Sequence, residues 1–174
     1  MQDDITTGVQ KLIAEGAVDP NRICIVGEDY GGYAALMGTI KTPDLYRCAV
    51  SINGISDLPR MIGESGRNVL RGSPEDYWEK RIGSRFKNAN QLNAVSPAKQ
   101  AANTAAPIML IHGKDNTVVP FYQSELMRDA LAAANKPHEF VELEGEGQSI
   151  SSGEARTELL SRSIEFIDRH IGGE

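Results

Sequence analysis

The segment Gly27-Glu28-Asp29-Tyr30-Gly31-Gly32 has the glycine spacing of a nucleophile elbow, the sharp strand-to-helix turn that lifts one side chain above a sheet. Asp29 stands at the lifted position, where a serine would attack an acyl carbon. Two later segments follow in the order that would complete a proton relay. His112-Gly113-Lys114-Asp115-Asn116 puts Asn116 where the orienting acid belongs, and Gly145-Glu146-Gly147-Gln148 puts Gln148 where the base belongs. The chemistry would be acyl transfer by a nucleophile that an imidazole activates and a carboxylate orients. Each position lacks the group it needs. Gln148 has no titratable nitrogen and cannot take a proton at neutral pH. Asn116 can hydrogen-bond an imidazole but cannot balance an imidazolium, a loss worth about four orders of magnitude in a working triad.

Asp29 has two readings. As a structural residue it caps the following helix, accepting backbone N–H bonds at a positive helix end; its side chain also tolerates the positive φ of an elbow. As a chemical residue it is the nucleophile itself and forms an ester that Gln148 cannot help to hydrolyse. The backbone N–H of Tyr30 is the expected oxyanion donor. Glycines 27 and 31 are expected to relieve crowding in the turn. No other histidine takes the base position: His112 serves the turn after its strand, His138 starts a strand, and His170 sits in a last helical turn. Glu28, Asp29 and Asp115 form a solvated acidic rim in preference to a Ca²⁺ or Mg²⁺ site. No metal or cofactor is expected.

The elements that must hold these residues are readable from period and punctuation. Residues 3–16 have helical spacing (Ile5, Val9, Leu12, Ile13), and 23–26 is a short apolar run of the kind buried in parallel sheets. A helix over 30–40 and a strand over 48–52 follow. Segment 54–106 reads as an irregular, polar, cap-like excursion with one helix near 74–82. A strand at 108–111, a helix over 121–135, a strand at 140–143 and a helix over 153–170 complete the order. The last helix carries Leu159, Leu160, Ile164 and Ile167 as its apolar stripe. Alternating strands and helices predict one α/β domain over 1–174, a mostly parallel sheet of about four strands with helices on both faces.

Composition excludes several classes. A net charge of −6 and a pI of 5.1 give no electrostatic case for nucleic acid or anionic membrane. No apolar run reaches the roughly 18 residues of a membrane span, and no secretory leader is visible. Cys24 and Cys48, each in an apolar run, read as buried free thiols; with them the expected compartment is cytoplasmic.

Several motifs together resemble the prolyl oligopeptidase family of serine peptidases, whose members include acylaminoacyl and dipeptidyl peptidases. They are Asp19-Pro20-Asn21-Arg22-Ile23, Tyr30-Gly31-Gly32-Tyr33-Ala34-Ala35-Leu36, Val95-Ser96-Pro97-Ala98, Ile111-His112-Gly113 and Val118-Val119-Pro120 with Gln123-Ser124. Their order along nearly the whole chain carries the resemblance. It implies the C-terminal part of an α/β-hydrolase domain, a truncated form of that fold, with Asp29, Asn116 and Gln148 at the triad positions and a peptide or acyl ligand. It also implies a second oxyanion donor in a region preceding the first helix here, so a restored triad would have half its support. Strand 23–26 lies mid-sheet in that fold; here it is expected at an edge, where a second copy or a partner's strand would pair with it. The expected function is a catalytically silent scaffold or assembly module, and three coincident substitutions also suit an engineered chain. The alternatives are a dehalogenase-like or esterase-like hydrolase using Asp29 as nucleophile, and a ligand-binding module without turnover.

Overall fold

Four short segments pair in parallel and set the architecture. The computed structural model describes residues 1–65 and 74–173. Strands β1 (Cys24–Glu28), β2 (Cys48–Ile52), β3 (Ile108–Gly113) and β4 (His138–Leu143) lie in the spatial order β1-β2-β3-β4, every pair parallel. Every residue of β2 and β3 is buried, as expected for strands covered on both faces. β1 is an edge, and Val26 on it is 49% exposed.

Helices cover both faces, as the alternation predicts. On one face, Val50, Ile52, Met109, Ile111 and Val141 pack against Ala155 and Phe166 of α7 (Gly153–Ile171). On the other, Ala49, Ile108 and Leu110 meet Leu36 of α2 (Tyr30–Lys41) and Met127 and Leu131 of α6 (Tyr122–Ala133). The α7 stripe differs from expectation. Leu159 and Ile167 touch the core, but Leu160 and Ile164 face outward. Ala155 and Phe166, eleven residues apart and so three turns along one side, set the rotation of the helix. Helix α1 (Gln2–Ala14) has no fully buried residue.

The stretch after β2 is helical where the sequence suggests irregular chain. It contains α3 (Leu58–Ser65), α4 (Pro74–Ile82) and α5 (Ala89–Ala94), then two 3₁₀ turns at Pro97–Lys99 and Ala101–Asn103. Residues 66–73 of the expected excursion lie outside the described residues. Ile55, Leu58, Met61, Ile62, Leu92 and Val119 form an apolar cluster of their own here. Helices this short give too few turns for a periodic signal. A buried amide ties this layer to α6: Gln123 Oε1 accepts from the backbone N–H groups of Ser56 and Asp57, both at 2.8 Å. The buried Asp57 carboxylate also pairs with Lys99 at 3.0 Å.

Cys24 and Cys48 are not free thiols. Parallel register sets them opposite each other on β1 and β2 with Cα atoms 4.7 Å apart, and they form a disulfide. The argument from free thiols to a reducing compartment therefore lapses. Among the described residues, no helix is long and apolar enough to cross a membrane.

Candidate functional site

The C-terminal ends of the strands gather the residues singled out above. Asp29 follows β1 at φ 54°, ψ −113°, a strained conformation for any residue other than glycine. Two backbone bonds hold it there, from Asp29 N–H to Ile52 O at 2.9 Å and from Tyr33 N–H to Asp29 O at 3.1 Å. Its side chain makes no cap hydrogen bond, so the expected role as a helix cap is not what the structure has. A capping side chain needs extended backbone to fold over the first amides, and positive φ lifts it away instead.

Close approach explains the glycines. A Cβ on Gly27 would run into the Gly31 backbone, and one on Gly32 would meet Gly54 Cα at 2.8 Å; Gly31 itself has open space. The close-packed positions are thus 27 and 32, and at Gly31 it is the backbone that must stay close. The Tyr30 N–H is the first of α2, one of the amides a helix leaves without an internal acceptor.

Asn116 is buried in the turn after β3. Its Oδ1 accepts from the N–H groups of Val118 at 3.0 Å and Val119 at 2.9 Å, while its Nδ2 is buried without a partner. Gln148 lies in the loop after β4, and its Oε1 is likewise buried and unpartnered. So is Asp29 Oδ1. Asp29, Tyr30 and Gln148 line a single cavity of ≈ 570 Å³ whose other walls include Tyr33, Ile55 and Val119. Asn116 stands behind it, bonded to two wall residues.

Two residues that the sequence reading did not assign organise the loops. Asn53, at φ 51°, accepts from Gly113 N–H at 3.0 Å and donates to Gln148 O at 3.2 Å. An Asn-Gly pair directly after a strand was the available signal. Glu146 O accepts from Asp115 N–H at 2.9 Å, joining the Asn116 turn to the Gln148 loop. Its carboxylate accepts from Ser151 N–H at 2.6 Å and Ser152 N–H at 3.1 Å.

Hydrogen bonds from Ser152 and Ser151 hold the Glu146 carboxyl down to about 2, from 4.5. The folded chain therefore favours the ionised form. The stabilisation is complete above the ordinary carboxylate range and drains away as pH falls from about 4.5 through about 2. Thermal unfolding should find wild type more stable than Glu146→Gln at pH 6, with the gap closing on acidification.

Burial, then the neighbouring Asp29 charge, raises the Glu28 carboxyl above its usual range. Among the described residues, neither carboxylate has an ion-pair partner. Asp115 is exposed, and among the described residues no three His, Cys, Asp or Glu side chains gather as a metal site would require. All three imidazoles are engaged elsewhere. His112 is buried, donates from Nε2 to Val119 O at 2.9 Å and accepts at Nδ1 from Ser124 Oγ at 2.7 Å; burial lowers its proton affinity. His138 and His170 donate to the carbonyls of Lys136 and Phe166.

A family model described as "Prolyl oligopeptidase family" matches residues 1–174. The chain is 28% identical to "Dipeptidyl aminopeptidase BIII" of Pseudoxanthomonas mexicana over 99% of its own length and 25% of that protein. Among solved structures, it matches a puromycin-hydrolyzing peptidase of Mycobacterium tuberculosis at 28% identity and a TM-score of 0.88, covering 99% of this chain and 25% of that one. It matches the uncomplexed acylaminoacyl peptidase of Pyrococcus horikoshii at 26% identity and a TM-score of 0.85, covering 98% and 28%. The chain thus spans about a quarter of the length of these relatives.

Proposed function

The chain belongs to the prolyl oligopeptidase family, and on that premise we propose that it is a catalytically silent member that keeps the cleft and binds without turning over. Asp29, Asn116 and Gln148 occupy the three triad positions in this reading, with the Tyr30 N–H as the oxyanion donor. One observation carries it: among the described residues, no histidine lines the cavity that holds Asp29 and Gln148. Among the described residues there, no imidazole is available to take a proton from a nucleophile or from water. The same lack weighs against a hydrolase acting through Asp29, since an ester formed on that carboxylate would have no base to clear it.

The intact cavity favours a binding role over a bare scaffold, because a scaffold has no need of an apolar chamber. The expected result is no hydrolysis of p-nitrophenyl esters, haloalkanes or acyl-peptides above the buffer rate, and no mass adduct on Asp29 after exposure to them. Multiple turnover abolished by Asp29→Ala would refute the silent reading. A stable adduct would restore the nucleophile.

Assembly through β1 is part of the same proposal. Its outer edge is short and apolar, without Pro or Lys to block pairing, so it suits a second copy or a partner's strand. Light scattering at rising concentration should show self-association of the isolated chain. A monomer throughout would remove the second copy as the occupant.

A further inference from the structure

The cavity has a polarity that points to one class of ligand. Its walls are largely apolar and aromatic, with the Tyr30 and Tyr33 ring centroids 5.8 Å apart and Trp78 among the lining residues. Asp29 and Gln148, on separate loops, line it, and each carries a buried acceptor oxygen without a hydrogen-bond partner, Oδ1 and Oε1. Buried polar atoms are ordinarily satisfied, so two orphans on residues that border one cavity call for a donor. The charge at this end of the sheet is uncompensated as well. Glu28 and Asp29 are adjacent, neither has an ion-pair partner among the described residues, and the charge of one raises the proton affinity of the other. Of the described lining residues, Arg81 is exposed and has partners of its own, and the Met1 ammonium pairs with Asp4 at 2.8 Å.

We propose that the cavity takes a protonated primary amine carried on an apolar body. The ammonium group sits at Asp29 and Gln148, and the hydrocarbon or aromatic body lies against Tyr33, Ile55 and Val119. An ammonium brings three donors and no acceptor, which suits two orphan oxygens. Aromatic faces nearby add favourable cation–π contact. A carboxylic acid or phosphate of the same size would meet the Asp29 carboxylate and gain nothing.

This assignment rests on the silent reading, since an Asp29 consumed by ester formation could not hold a cation. Phenethylammonium and its neutral isostere 2-phenylethanol are titrated into the 174-residue chain by calorimetry. The same titrations are run on Asp29→Asn and Asp29→Gly. Asp29→Gly relieves the strain at this position and Asp29→Asn keeps the shape of the native side chain, so folding is preserved. The expected result is a preference for the ammonium of about tenfold or more, the size of a charge-assisted hydrogen bond, falling to within about twofold in both variants. Equal binding of the two probes overturns the proposal. So does a preference that survives both variants, and so does the absence of any binding. Hydrolysis data alone decide whether the site is silent, and these titrations alone decide whether it is an ammonium site.

Discussion

Weak ester hydrolysis, limited by an oxyanion hole with half its donors, appears when Asp29→Ser, Asn116→Asp and Gln148→His are introduced together, and each change alone leaves the rate at background. Members of a relay act as a unit, so one restored group has nothing to work with. The double variant Asp29→Ser/Gln148→His should run about 10⁴-fold below the triple, the known cost of an amide in place of the orienting carboxylate. The backbone is ready for these exchanges. Main-chain bonds to Ile52 and Tyr33 hold residue 29 at the elbow whatever its side chain. At position 116, one carboxylate oxygen keeps the two bonds from Val118 and Val119, and the other replaces the unpartnered Nδ2. Initial rates with a p-nitrophenyl ester decide the matter. Equal rates for double and triple would remove Asn116 from the acid position. An inactive, folded triple variant would remove all three residues from the triad.

Gly27→Ala should cost on the order of 4 kcal/mol, the range reached only by severe overpacking. The added methyl group would run into the carbonyl of Gly31, a main-chain atom in the first turn of α2. Relief requires that turn to move. Its backbone is held through Asp29 to β2, and Gly32 beside it rests against Gly54. Gly31→Ala is the matched control, because that position faces open space. It should change stability by less than about 1 kcal/mol, the helix-propensity difference between the two residues. Urea midpoints of the two variants test the claim. A cost at 31 equal to that at 27 would mean that general rigidity, not a steric conflict at 27, governs the elbow.

Much of the fold was legible from local pattern. The strand at 48–52 and the helix over 74–82 match the structure, since the first is a bounded apolar run and the second begins at a proline. β1 runs on to Glu28, past its expected end, because Gly27 and Glu28 still pair with Ser51 and Ile52. The apolar cluster between β2 and β3 was illegible, since no single short helix there carries enough of it. The Cys24–Cys48 bond depends on which strands are neighbours and in what register, and spacing along the chain carries neither.

The site divides in the same way. Glycine spacing and the His-Gly turn marked Asp29, Asn116 and Gln148 because backbone geometry leaves a trace in sequence. Glu146 left none. Its carboxylate is fixed by main-chain amides of residues 151 and 152, which any residue type could have offered.

The Cys24–Cys48 bond changes what the outermost strand can do. A staple between an edge and its neighbour forbids strand exchange, because the edge cannot leave without dragging the next strand out of the core. Any newcomer must therefore zip onto the outside and lengthen the sheet, and while the sulfurs remain joined it can never substitute for the strand already there.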